Sequence, residues 1–320
     1  MSEGLSQPAQ SALHVGGPVA DTLLDVTTVL TVGAVLIFGG VMLLLAMSLR
    51  GGPRPVRARR WLLGGGIAFP VVVLSALFVY SERHRPAWRP VPPADALVVS
   101  VTGRMWWWEV RYDDPRTGRR FATANEIRLP AGRPVYFALA SEDVIHSFWV
   151  PALGGKMDMV PGRMQHLLLT AAAPGRWRGQ CAEYCGEQHA RMALDVVALA
   201  PAEFEAWADA QARPASPQDA RSVQAGREAF LAHRCDACHA VRGVTPPGPD
   251  GRDVRRGPDL THVGSRLSLG AATVPNTPEA MRDWVAHTQQ LKPGARMPAG
   301  EGRLPPAAIE DIAAWLGALK

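Results

Sequence analysis

The chain has 320 residues, 47% of them hydrophobic and 20% charged, with a formal net charge of +5. That balance excludes a wholly disordered chain and a polytopic transporter, but allows a membrane part joined to water-soluble domains, and the length suggests two or three of these. Arg supplies all but three of the 34 basic residues, and no basic cluster interleaves with aromatics, so nucleic acid is not an expected partner. Four cysteines are too few to staple a scaffold of this size.

Val26 to Leu49 and Trp61 to Tyr80 carry no charged residue. Each reaches the roughly 20 apolar residues a helix needs to cross a bilayer core, and neither shows the polar face of a core helix. Between them lie Arg50, Arg54, Arg57, Arg59 and Arg60 with no acid. Short Arg-rich loops stay in the cytoplasm, so the hairpin places the N-terminus and everything beyond Tyr80 outside. Met1 to Ala20 lacks the basic start and apolar run of a signal peptide, so no cleaved leader is expected. The expected location is the bacterial inner (plasma) membrane. The expected division is a transmembrane α-helical hairpin within residues 1–88, an all-β domain over 89–212, a linker at 213–221 and an all-α domain over 222–320.

After the Pro- and Arg-rich stretch Arg83–Pro93, short β-favouring runs follow: Ala96–Val101, Trp106–Tyr112, Glu126–Leu129, Pro134–Leu139, His146–Val150, Met164–Thr170, Arg176–Gln180 and Leu194–Leu199. Asp114-Pro115, Ala131-Gly132 and Pro161-Gly162 punctuate them, the pattern of a Greek-key sandwich or barrel. Within it, Cys181, Glu183, Cys185, His189 and Met192 fall inside twelve residues, with His146 upstream. Thiolate, thioether and imidazole together suit copper. A Cys181–Cys185 disulfide and a zinc site are the alternatives, and structural zinc rarely recruits Met.

Cys181-x-Glu183-x-Cys185-x-x-x-His189-x-x-Met192 resembles the binuclear CuA signature of cytochrome c oxidase subunit II. The segments Ser141-Glu-Asp-Val-Ile-His146-Ser-Phe-Trp-Val-Pro151 and Gly155-Lys-Met-Asp158-Met-Val-Pro-Gly162 resemble that family too. The resemblance implies a cupredoxin-like barrel in which Cys181 and Cys185 bridge two coppers. His146 and His189 would be the terminal ligands, and Met192 and the Glu183 carbonyl the weak ones. It further implies that the Glu183 side chain reaches a magnesium shared with subunit I, and that electrons enter at Trp106, first of Trp106-Trp107-Trp108. Some members carry a glutamate near the cytoplasmic start of the second helix that feeds a proton path. Nothing acidic occurs here from Arg50 to Tyr80, so that path is not expected from this chain.

Pro201–Gln211 reads as a short helix, and helical periodicity returns at Ser222–His233. Cys235-Asp-Ala-Cys238-His239 follows, a c-type haem attachment motif: two thioether cysteines and an axial histidine. Gly257-Pro258-Asp-Leu260, Lys292-Pro-Gly-Ala-Arg-Met297-Pro298 and a last helix over Pro305–Leu319 resemble class I cytochromes c, with Met297 as the second axial ligand. Met281, inside a helix over Pro278–Gln290, and His262 are rival ligands expected to serve the core and a loop. His/Met ligation suits electron carriage rather than oxygen binding.

The whole resembles the subunit II of caa3-type haem-copper oxidases, with cytochrome c fused behind the copper domain. That implies an electron-input subunit passing electrons from an external cytochrome or quinol-oxidising complex through haem c and CuA to subunit I. Oxygen would be reduced to water in subunit I, coupled to proton translocation, with subunit III a further partner. A nitric oxide reductase subunit and a copper-binding assembly factor are the rival functions; a quinol oxidase subunit would lack the copper ligands.

Overall fold

The computed structural model describes residues 10–52, 55, 57–85, 91–215, 221–246 and 256–320. Arg54, parts of both expected linkers and most of the loop Pro246–Arg256 lie outside the described residues, as does the beginning of the chain.

Helix α1 spans Pro18–Arg50 and α2 spans Ala58–Arg83; both are long and apolar enough to cross a membrane. Their apolar side chains are turned outward, Leu36 being 70% and Leu74 65% exposed, a cost in water that lipid removes. Within α2 the stretch Trp61–Ala68 is wound as a π-helix around Gly64–Gly66, just ahead of Pro70.

The β-domain holds ten strands: β1 Leu97–Arg104, β2 Trp107–Asp114, β3 Arg119–Ala124, β4 Glu126–Pro130, β5 Val135–Ser141, β6 His146–Trp149, β7 Met157–Met159, β8 Gln165–Leu169, β9 Gly175–Cys181 and β10 Ala193–Leu199. They form two five-stranded sheets, ordered β3-β2-β1-β5-β8 and β4-β10-β9-β6-β7. Most neighbours are antiparallel, but β1 pairs with β5 and β4 with β10 in parallel. Alternation along β1 buries Leu97, Val99 and Val101, as a strand period of two requires. With Trp108, Phe137, Phe148 and Ile127 they make the core between the sheets. This is the cupredoxin-like sandwich expected from the sequence, with two strands, β3 and β7, that it did not reveal. The stretch 10–17, grouped on sequence with the anchor, runs along this domain: Gly16 N–H donates to Ala152 O at 2.7 Å, and a Cβ there would lie 2.7 Å from the Trp177 ring.

Helix α3, Pro201–Ala212, closes the domain, seating Trp207 against Tyr112 and Phe121 at ring distances of 5.4 and 5.5 Å. Beyond it come α4 Arg221–Ala232, the strand pair β11 Ser268–Leu269 and β12 Val274–Pro275, α5 Pro278–Leu291 and α6 Pro306–Ala318. Helices α4 and α6 cross where Gly226 lets the Asp311 carbonyl and Trp315 approach, and Phe230 packs on Trp315 at 4.9 Å. Met281 is in this core, and buried His262 bonds through Nε2 to Arg213 O at 2.9 Å.

The β-domain and the helical domain form one compact unit. Their seam is polar and buried. The Leu267 N–H donates to Glu126 at 2.8 Å, the Ser268 hydroxyl to Asp195 at 2.6 Å, and the Ala193 N–H to Ala271 O at 3.2 Å. Arg242 donates to Gln211 O at 2.6 Å.

Candidate metal centre and haem-attachment site

The end of β9 delivers Cys181, and the loop back to β10 carries Cys185, His189 and Met192, while β6 opens on His146. Pairing of β6 with β9 brings the histidine to the cysteines across 35 residues. The two sulfurs stand 3.8 Å apart, well beyond the 2.03–2.05 Å of a disulfide, and both cysteines are free. His146 Nδ1 lies 3.8 Å from Cys181 Sγ, and His189 Nδ1 3.6 Å from Cys185 Sγ. Met192 Sδ is 3.9 Å from Cys185 Sγ, and the Glu183 carbonyl oxygen 3.2 Å from Cys181 Sγ. Ligand atoms of His146, Cys181 and Cys185 all fall within 4.8 Å of one another, on buried residues.

The electrostatics of this cluster favour a cation. The contact with the Cys185 thiol, with His146 beside it, outweighs burial and holds the Cys181 thiol well below the usual thiol range. The same contact, with burial, pushes the Cys185 thiol up. Two imidazole nitrogens, a thioether and a carbonyl thus gather around the two sulfurs. The soft donors select copper, and two sulfurs at this spacing can be shared by two metal ions.

Side chains outside the motif orient the donors. Asp143 accepts from His146 Nε2 at 2.8 Å and from the backbone N–H of Met105 at 2.8 Å, leaving Nδ1 to face Cys181. Burial opposes charge on both partners, yet their mutual hydrogen bond holds Asp143 low and His146 high. Such a carboxylate partner sets the ring's tautomer and orientation. Gly103 makes room for the ring, since a Cβ there would lie 2.7 Å from His146 Cδ2. Neither Asp143 nor Gly103 was assigned a role from sequence. The Asp-x-x-His spacing is the one local signal that could have found the first; the second emerges only when β1 meets β6.

Trp106 donates from Nε1 to the carbonyl of Cys185 at 2.8 Å, so its indole lies on the thiol loop. Trp107 is half-buried under Arg104, at 5.6 Å from its ring centre, and Trp108 is core. The Glu183 carboxylate points outward, 43% exposed, and joins Lys156 at 3.2 Å. Lys156 also meets Asp158 at 2.9 Å.

In the helical domain Cys235 is half-buried and Cys238 exposed. His239 Nδ1 bonds to the Pro258 carbonyl at 2.9 Å, which orients the ring. Gly257 passes so close that a Cβ would lie 2.7 Å from His239 Cε1. Met297 sits half-buried on the loop after α5, which Gln289 pins by donating to Ala295 O and Met297 O, both at 2.7 Å. These residues fit a covalent haem with an oriented axial histidine.

That loop is also where the two sites meet. A Cβ on Gly294 would lie 3.5 Å from Trp106 Cζ3 and 2.8 Å from the Glu187 carboxylate. Buried Lys292 donates to Trp106 O and Arg191 O at 2.8 Å and to Gly270 O at 2.7 Å. Burial, with the Arg191 guanidinium nearby, draws its pKa down to about 7, against the opposing pull of the Cys185 sulfur. Arg296 stands 3.9 Å from Asp143.

Residues 115–199 match the family profile of the cytochrome c oxidase subunit II periplasmic domain, and residues 223–320 that of cytochrome c. The chain is 32% identical over 254 residues to cytochrome c oxidase subunit 2 of Alkalihalophilus pseudofirmus, covering 79% of this chain and 68% of that protein. It is 28% identical over 341 aligned positions to cytochrome c oxidase subunit 2 of Bacillus subtilis, covering 99% and 94%. Among solved structures, the periplasmic domain of subunit II of cytochrome oxidase of Bradyrhizobium japonicum is 32% identical, covering 38% of this chain and 96% of that one with a TM-score of 0.35.

Proposed function

Because this chain belongs to the cytochrome c oxidase subunit 2 family and bears a fused cytochrome c domain, we propose that it is the electron-input subunit of a haem-copper oxidase. The observation that carries this reading is the convergence of two imidazoles, a thioether and a carbonyl on two sulfurs 3.8 Å apart, with the Met297 loop lying on the neighbouring tryptophan. Cys181 and Cys185 would bridge two coppers, with His146, His189, Met192 and the Glu183 carbonyl completing the set. Cys235 and Cys238 would hold haem c, with His239 and Met297 as axial ligands. When bound, these groups supply reversible one-electron carriage from an external donor towards subunit I.

The protein's own contribution is rigidity and direction. Ligands mounted on paired strands, with His146 locked by Asp143 and Gly103, change little in position between charge states, which keeps reorganisation small. Trp106 would pass charge from the haem side to the thiol loop through its bond to the Cys185 carbonyl. The exposed Glu183 and Asp158 carboxylates, neutralised by Lys156, are the candidates for a magnesium shared with subunit I. The two apolar helices would anchor the chain in the inner membrane beside subunits I and III, with both redox domains on the periplasmic side.

Metal and haem analysis of the purified chain tests this. Two coppers and one haem per chain are expected, with a mixed-valence copper signal in electron paramagnetic resonance. Zinc, or a single copper, overturns the binuclear assignment.

A further inference from the structure

Lys292 is a confined cation in the seam between the domains, 3% exposed, as buried as Asp195. An ammonium has three donors and no acceptor, and each of the three donors here meets a different backbone carbonyl. Two belong to the β-domain, Trp106 and Arg191, and one to the helical domain, Gly270. Arg191 answers in the other direction, donating from its guanidinium to Leu291 O at 2.6 Å. The clasp therefore joins Leu291 and Lys292, at the end of α5 where the Met297 loop starts, to the tryptophan and to the loop of His189 and Met192. Composition points the same way. Lysine occurs three times in a chain whose other 31 basic residues are arginine, and a compact tetrahedral donor is what this pocket requires where a planar guanidinium cannot match it.

We propose that Lys292 is a positioning residue: its ammonium seats the Met297 loop on Trp106 and so fixes the haem domain in the orientation from which it delivers electrons. This rests on the electron-input reading above. Three arms test it on the full chain. Hydrogen exchange reads docking directly, through the Leu267 and Ala193 amides that bond across the seam. In Lys292→Met their protection should fall about tenfold, with amides of the Val99 and Ile312 cores unchanged. Lys292→Arg should fail to restore it, and transfer from haem to copper should slow in the order wild type, Arg, Met, while both absorption spectra stay as in wild type. Unchanged protection in Lys292→Met overturns the proposal, and so does full restoration by Arg. Lost protection with undiminished transfer overturns the positioning role. If Lys292→Met does not fold, Arg191→Gln, which removes an exposed partner in the same clasp, should weaken protection at the same two amides; no change there also overturns it. A wild-type chain lacking copper or haem would refute the electron-input reading, while the exchange arm would still report on the clasp.

Discussion

At the scale of single residues, the metal centre depends on groups that touch no metal. Gly103→Ala would drive a methyl into the His146 ring, 2.7 Å from Cδ2. The expected outcome is a distorted or weakened copper signal on a β-domain whose circular dichroism is unchanged; an unaltered signal would show that the ring has room to move. If Cys181 bridges two coppers as proposed, Cys181→Ser should reduce copper to background, whereas Met192→Leu should keep two coppers and move the reduction potential. Metal content and potentiometry separate these cases. The candidate ligands could be read from sequence because twelve residues of contiguous chain carry most of them. The residues that aim them were not, because Gly103 reaches His146, and Lys292 reaches Trp106, only through folding, the latter across 186 positions.

At the scale of elements, strand bounds followed apolar patterning closely, as in β1, where alternate residues Leu97, Val99 and Val101 are fully buried. Strand β3 escaped because Arg119-Arg120-Phe-Ala-Thr-Ala begins on two charges whose partners, Glu205, Asp209 and Asp113, lie elsewhere in the fold. Strand β7 escaped because Met157–Met159 is too short for any period to register. One element junction has a pH dependence of defined sign. Asp114, at the end of β2, is buried, which alone would raise its pKa, but Arg133 at 2.7 Å and the Arg116 N–H at 3.1 Å outweigh burial and hold it below the usual carboxylate range. Its stabilisation is present above about pH 4 and is lost as acid titrates it through the lower native value. Asp114→Asn should therefore lower the urea midpoint at pH 7 and flatten its fall below pH 4; parallel curves for variant and wild type would refute this. At the α4–α6 crossing, Gly226→Ala should destabilise by about 1–3 kcal/mol through overpacking against the Asp311 carbonyl, opposite to the gain alanine usually brings inside a helix. Thermal melting of the haem domain decides the sign.

At the scale of the whole molecule, the division into a copper domain and a haem domain was legible from the two cysteine motifs, but their union was not. The seam is made by backbone groups and by Glu126, Asp195 and Lys292, all buried, and nothing in their local sequence distinguishes them from surface charges. The expected thermodynamic signature is a single calorimetric transition for both domains. Glu126→Ala combined with Ser268→Ala, which removes two bonds across the seam, should split it into two; a transition that stays single would mean that other contacts hold the domains together.

The buried carboxylates and ammonium of that seam bear on how such a pair can evolve. Two carriers that meet by diffusion must separate after every electron, so their mutual surface has to stay weak, wet and forgiving, and speed is set by encounter and release. A donor that never leaves is under no such pressure. Its contact can harden into one register, with charges desolvated and backbone groups paired, and under the proposed electron-input role the demand for reversible recognition would fall on whatever surface meets the external donor.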